Sequence, residues 1–444
     1  MAEVKVIKTA AESALADAFG QARGLLPGDD AVAARRDAAF ELFAKEGLPH
    51  RRIEDWKYTD LRALMREAKP LASPPDAAAK ARGKIAGALL GAVETRRLVF
   101  VDGAFVPELS DLSGLERGLR IGSLAAALAD GDPAVAEKLG KLAPSGDVAV
   151  ALNTAFMGDG AVIRIAAGAT IERPLHLVFA AAEKPAATFV RSLVEVAPGA
   201  RAMLIESHEG PDGSDYQVNG ALELFVGEGA HFDHVKIVRE GAQALHVSTL
   251  AAAIGARARF NAFTFTTGGA VVRNQIYLNF DGEDTIAGIR GATLIGGRQH
   301  ADTTLFANHI ARGCQSREVF KAVLDGEAHS VFQGRIVVRH GAQKTDAKMM
   351  TRALLLSERA EADNKPELEI FADDVQCGHG ATTGALDEEL KFYLMARGIP
   401  EAEAESLLIQ AFLGEAIEGI EHAGLREALM ESVAEWLRTR ANHA

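Results

Sequence analysis

Cys377 and His379 are the residues of this 444-residue sequence with the plainest chemical potential. They lie in the run Cys377-Gly378-His379-Gly380-Ala381-Thr382-Thr383-Gly384. On an extended strand, residues i and i+2 point to one face, so a thiol and an imidazole would stand side by side. An imidazolium beside a thiol favours the thiolate, the form that binds metal or attacks. The structural alternative is a buried thiol beside a glycine-rich strand end, since free cysteine is among the most buried residue types. The only other cysteine, Cys314, lies between Gly313 and Gln315, and its default reading is structural. Two thiols fall short of the four that usually hold an iron–sulfur cluster. Any cluster or zinc site needs histidines, carboxylates or a second chain.

Other motifs carry less. The run from Gly378 to Gly384 is a loosened dinucleotide fingerprint, but its spacing is not G-x-G-x-x-G and no βαβ unit follows. No G-x-x-x-x-G-K-[ST] occurs, so the chain is not itself a P-loop ATPase. H-E-x-x-H and G-x-S-x-G are absent as well. His231-Phe232-Asp233-His234 has the look of a metal site. Residues three apart on a strand face opposite sides, so joint ligation needs a bulge, and solvent-facing polar positions are the expectation.

Composition narrows the class. Hydrophobic residues make up 48% and aromatics only 6%, so Ala, Val, Leu and Ile do most of the packing. The net charge of -13, with no Lys/Arg-rich block, argues against nucleic acid and against an anionic membrane surface. Met1 to Lys5 has no basic, then apolar, leader pattern, and no window reaches ~18 apolar residues. With two distant cysteines, a cytoplasmic location is expected.

The elements that must position the pair fall into three regions. Residues 1–95 read as helical, with helices expected over Ala10 to Arg23 and Asp30 to Lys45, then a Trp56-containing segment and a proline-rich loop over Lys69 to Pro75. Residues 96–384 read as short strands between glycine turns, with a short helical pattern over 123 to 142. Gly168-Ala169, Gly199-Ala200, Gly229-Ala230 and Gly255-Ala256 recur at spacings of 31, 30 and 26 by subtraction, and Gly341-Ala342 is a displaced member. That period with short strands predicts a parallel β-helix, mainly β, whose ends are open edges to be capped or used; a pair of β-sandwiches is the alternative. Residues 385–444 read as helical again, with Asp387 as an N-cap, Gly398 at a C′ position, and apolar stripes through Leu407, Phe412, Leu429 and Trp436. Several β-helix proteins act on glycans, so a polysaccharide hydrolase or lyase with a carboxylate-lined groove is a second functional reading.

The C-terminal half resembles the SufB/SufD family of iron–sulfur cluster assembly proteins. The similarity runs through Asn308-His309, Val331 to Ile336, Ala342 to Ala347, Leu354 to Ser357, Lys365 to Ile370, Asp373 to Thr382, Phe392 to Leu394 and Arg397 to Ile399. Glu54-Asp55-Trp56-Lys57-Tyr58-Thr59-Asp60 is similar to the SufD side of that family, and the stretch Ala353 to Ser357 lacks the cysteine expected of the SufB side. The resemblance implies a right-handed parallel β-helix flanked by helices. It implies a non-catalytic scaffold subunit that pairs with a SufB-like protein through the C-terminal end of the coil. It further implies a transient iron–sulfur cluster shared with that partner, with His379 and, in a lesser role, Cys377 at the interface. A SufC-like ATPase, which binds the ATP, would dock on the C-terminal helices. Flavin is a further cofactor, and a homodimer a further arrangement of the isolated chain, that the resemblance brings with it.

Overall fold

The structure, a computed structural model, describes residues 8–181 and 183–441; the reading of Met1 to Lys5 concerns residues outside that range. Between Arg96 and Gly384 the chain winds as a parallel β-helix, each coil giving one strand to each of two sheets. The first sheet runs β2 (Ala104–Phe105), β1 (Arg96–Val101), β5 (Leu175–Ala180), β7 (Arg201–Glu209), β9 (His231–Arg239), β11 (Arg259–Thr266), β13 (Ile286–Ile295), β15 (Gln315–Leu324), β17 (Asp346–Leu355) and β19 (Gln376–Gly384). The second runs β3 (Leu119–Ser123), β4 (Ala161–Ile165), β6 (Ala187–Val196), β8 (Gln217–Val226), β10 (Leu245–Ile254), β12 (Val271–Phe280), β14 (His300–His309), β16 (His329–Val338) and β18 (Glu361–Ile370).

Alternation along each strand sends every second side chain inward. Leu204, Phe232, Phe260 and Ile289 of the first sheet meet Leu222, Leu250, Ile276 and Leu305 of the second in one continuous core. Parallel register stacks these side chains in columns. One column passes through Ala202, Phe232, Phe260, Ala287, Ser316, Ala347 and Cys377. Its neighbour passes through Leu204, His234, Ala262, Ile289, Glu318, Met349 and His379.

The coil period is set by one turn residue per coil with positive φ. Gly168, Gly199 and Gly229 hold it, at φ of 66°, 67° and 64°. The expected repeat then slips. The fourth left-handed residue is Arg257, not Gly255, and Asp284, Gly313 and Lys344 follow. Each donates its N–H to a turn carbonyl of the next coil, from Gly168 to Pro198 at 2.9 Å through Arg257 to Glu283 at 2.8 Å and Gly313 to Gln343 at 2.9 Å. Gly255 is glycine for another reason: a Cβ there would lie 2.9 Å from the Glu228 nitrogen.

Helices cover both outer faces. On the second sheet lie α1 (Ala10–Ala22), α2 (Asp30–Glu46), α3 (Leu61–Leu64) and α7 (Val148–Phe156), with Leu15, Phe43, Trp56 and Phe156 packed on Leu245 and Val247. α5 (Leu124–Ala129) and α6 (Pro133–Lys138) join that side, while α4 (Ala77–Ile85) packs on β1. Thr9 and Glu12 form a capping box that starts α1. On the first sheet lie α9 (Glu401–Ile417) and α10 (Ala423–Ala441), which bury Ile409, Leu413, Leu429 and Val433 against Ile237, Phe265 and Leu294. Asp387 caps α8 (Glu388–Ala396), as its sequence position predicts.

The tryptophan segment is a strap. Its residues reach four successive strands of the second sheet. Trp56 lies over Arg273 of β12 at 3.9 Å, and its indole N–H donates to Asp147 at 3.2 Å. The Asp55 carbonyl accepts from Arg273 at 2.6 Å and from Gln333 of β16 at 3.2 Å. Thr59 donates to Asp302 of β14, and Glu54 pairs with Lys365 of β18. Arg273 and Asp302 form an ion pair with both side chains fully buried.

The two ends of the coil differ. At one end β2 pairs antiparallel with β1 and β3 antiparallel with β4, which blunts both sheets. At the other, β18 and β19 are last, and among the described residues neither has a partner on its far side.

Candidate functional site at the open end of the coil

β18 and β19 manage their free edges differently. β18 carries Pro366, which removes one N–H, and alternates Asp363, Lys365, Glu367 and Glu369. Proline and charge are the usual defences of an edge strand. β19 has no proline, no carboxylate and no lysine or arginine. The whole glycine run lies inside this strand, not in a turn before a helix, which removes the nucleotide-loop reading.

Cys377 and His379 end adjacent inward columns on this last rung, as the i, i+2 rule requires. His379 is exposed, and no hydrogen bond or ion pair joins it to the described residues. Cys377 is half-buried and packs on the inner core. The thiol is not activated by its surroundings. Burial pushes its pKa up, Asp346 and Glu318 add to the effect, and only the Ala347 N–H opposes them. The expectation of a thiolate stabilised by an imidazolium is therefore reversed in this chain: the nearby charges are carboxylates. A metal cation arriving from outside would supply the missing positive charge. Ile370 and Phe371, 42% and 47% exposed, rim the same end.

One rung inward from Met349 lies the fully buried Glu318, with Ser316 two residues before it on the same strand face. Burial raises its pKa to about 7, with Ser316 on the same face opposing. A carboxyl raised in the folded state contributes stability at low pH that is lost as pH climbs through about 7. Glu318→Gln is thus expected to match the parent near pH 4.5 and to exceed it in urea midpoint above about pH 7. A pH-independent difference would mean that Glu318 titrates in the folded chain as it does in the unfolded one. Cys314 is buried, with its thiol 3.2 Å from the Gly282 carbonyl, in keeping with a structural role.

A second polar cluster lies inside the coil. His234 faces inward and sits 2.8 Å from Glu206, while His231 faces outward beside Asp233 and Glu421. The two histidines are not joined, as strand alternation predicts, but the expectation that both face solvent fails. His234 shares the parity of Phe232, so the fold buries it. Burial works against the Glu206 carboxylate, but the His234 hydrogen bond and nearby cations prevail and hold it at about 2. Lys236 lies 2.9 Å from His246 and 3.1 Å from Asn274, and burial lowers it to about 8. His246 in turn lies 3.1 Å from Glu240, which accepts from the Tyr216 hydroxyl at 2.5 Å. The motif reading missed this cluster. Its signal was parity: Glu206 and His208 continue the inward series of Ala202 and Leu204.

A polysaccharide groove needs an open outer face on the coil. The N-terminal helices cover much of the second sheet and α9 and α10 much of the first, and the acids Glu223, Asp302 and Glu415 are in ion pairs. No helix among the described residues is long and apolar enough to cross a membrane.

Residues 178–412 match the family described as SUF system FeS cluster assembly, SufBD core domain, and residues 9–177 match the SufBD protein N-terminal region. An iron–sulfur cluster assembly SufBD family protein of Synechocystis sp. is 33% identical over 421 residues, 91% of each chain. The iron–sulfur cluster assembly protein SufD of Escherichia coli is 30% identical over 400 residues, 88% of this chain and 90% of the other. SufD of Bacillus subtilis is 26% identical over 286 residues, 64% of this chain and 65% of the other.

Proposed function

The chain belongs to the SufB/SufD family of the SUF iron–sulfur cluster assembly system, and on that premise we propose that it is a SufD-type, non-catalytic scaffold subunit whose open coil end pairs with a SufB-like partner. The observation that carries this reading is the unguarded β19 edge with an exposed imidazole on it. Backbone N–H and C=O groups on such an edge pair readily with another strand. The cluster under construction is the cargo. His379 would offer one nitrogen ligand to it, the partner would supply thiolates, and Cys377 is the lesser contributor because its thiol is held protonated. One chain with one thiol near the site cannot complete a cluster's usual ligand set, so the site is half of an intermolecular one. Purification of the chain alongside SufB-like and SufC-like proteins tests the pairing directly. A chain that elutes alone, with both partners present and folded, would sink the reading.

The ATPase partner has a separate place in this proposal. α8 buries none of its residues, and Leu390, Phe392 and Tyr393 are 52%, 72% and 53% exposed. An apolar cluster of this kind on a surface helix marks a contact site. We assign it to the SufC-like subunit, which would hold the ATP. Phe392→Glu is expected to abolish capture of that subunit while leaving SufB pairing and the thermal midpoint unchanged. Undiminished capture would remove α8 from the docking surface.

A further inference from the structure

We propose that the interior of the coil contains a binding site for one divalent transition-metal ion, of the Fe2+, Co2+ and Zn2+ class, formed by His208, His246 and Glu240. A ring nitrogen from each histidine and a carboxylate oxygen from Glu240 lie within 4.8 Å of one another. All three side chains are buried. The fold holds the rings in place before any ion arrives. His208 is stacked on Phe179 at 4.7 Å and meets His246 edge-on at 4.8 Å. Its Nδ1 is buried and has no hydrogen-bond partner among the described residues, which is costly for a polar atom without a ligand. Glu240 is held from behind by Tyr216, whose hydroxyl also accepts the Gly241 N–H at 2.8 Å. Such an outer partner orients a ligating carboxylate.

The donor set selects the ion. Two imidazoles and one carboxylate suit Fe2+, Co2+ or Zn2+, whereas Mg2+ and Ca2+ prefer all-oxygen shells. Entry is from the side of α10. There, a groove of about 460 Å³ is lined by Glu209, Asp212, Glu240 and Glu435, with Arg239 as the one cation. Glu240, with its side chain buried, borders both the groove and the interior cluster. One oxygen of Glu209 is likewise buried without a partner among the described residues. The ion would sit between His246 Nδ1 and Glu240, now 3.1 Å apart, with Lys236 2.9 Å from the other ring nitrogen of His246. The site is distinct from the open end and does not rest on the scaffold role.

Co2+ titration of the full-length chain tests this, in a Cys377→Ser/His379→Ala background so that the open end cannot contribute. One equivalent of Co2+ should bind, with ligand-field absorption bands of nitrogen and oxygen ligation and a raised thermal midpoint. His208→Asn and Glu240→Gln should each weaken binding roughly tenfold or more. Glu240→Gln keeps an amide able to bond Tyr216 and His246, so it separates a lost ligand from a lost fold. Absence of saturable Co2+ binding in the parent, or binding by Glu240→Gln as tight as the parent's, would overturn the site.

Discussion

Replacing His379 with alanine is expected to cost a reconstituted complex most of its cluster, roughly tenfold or more in iron and sulfide retained per complex, while leaving this chain's stability within about 0.5 kcal/mol of the parent. The two halves of that expectation come from the same observation. The imidazole is exposed on the last rung and bonds none of the described residues, so the described fold does not depend on it. Its column neighbour Met349 is buried and stays so. Cys377→Ser should reduce cluster less, because that thiol is held protonated by burial and by nearby carboxylates. It should also cost some stability, since a hydroxyl would face the apolar wall that the sulfur now meets. Iron and sulfide analysis after partner capture, with thermal unfolding alongside, reads both. Full cluster yield from His379→Ala would remove this residue from the mechanism.

Asp302→Ala is expected to be the most damaging single change away from the site, at about 3–5 kcal/mol. Arg273 and Asp302 are both fully buried, and removal of one partner leaves an uncompensated charge in a medium that solvates it poorly. The Asp55 carbonyl and the Trp56 ring would still face the guanidinium, but neither carries the countercharge. The loss should propagate, because Thr59 also bonds Asp302 and the strap would loosen across β12 to β18. Arg273→Met combined with Asp302→Leu should recover part of the stability, as apolar replacement of both members of a buried pair often does. Urea unfolding of the three chains measures this. A cost below about 1 kcal/mol for Asp302→Ala would mean that water reaches the pair.

The parallel coil was legible because its first three left-handed turn positions, Gly168, Gly199 and Gly229, are glycine. It faded from view where Arg257, Asp284 and Lys344 take that conformation. There the turn-to-turn hydrogen bonds and neighbouring coils impose a backbone that the residue type does not announce. Helix starts were legible at Asp387, where a side chain bonds its own helix. Exposure of Cys377 and His379 was not, because whether a strand is last in its sheet depends on what pairs with it and not on its own residues. The interior cluster stayed hidden for a related reason. His234 and Lys236 are the residue types of a surface strand, and only the parity they share with Phe232 puts them inside. The strap segment, read as a family mark, carries a mechanical load as well, through Trp56, Thr59 and the Asp55 carbonyl.

The unequal ends of the coil decide what geometry of assembly is open to it. A solenoid with two bare ends can stack head to tail without limit, which is the route to filaments. Here the head ends in the short antiparallel strands β2 and β3 and the tail in the full-length strands β18 and β19, so tail-to-tail contact is the one expected. Two tails can meet only about a two-fold or pseudo-two-fold axis, and such a contact stops at two. Strands that run parallel within each coil would then cross the seam antiparallel, with hydrogen bonds in alternating narrow and wide pairs. The axis would also bring two copies of the same last rung face to face, one from each subunit. A symmetric seam of this kind admits either a second copy of the chain or a relative with the same rung, and the side chains on that rung decide between them.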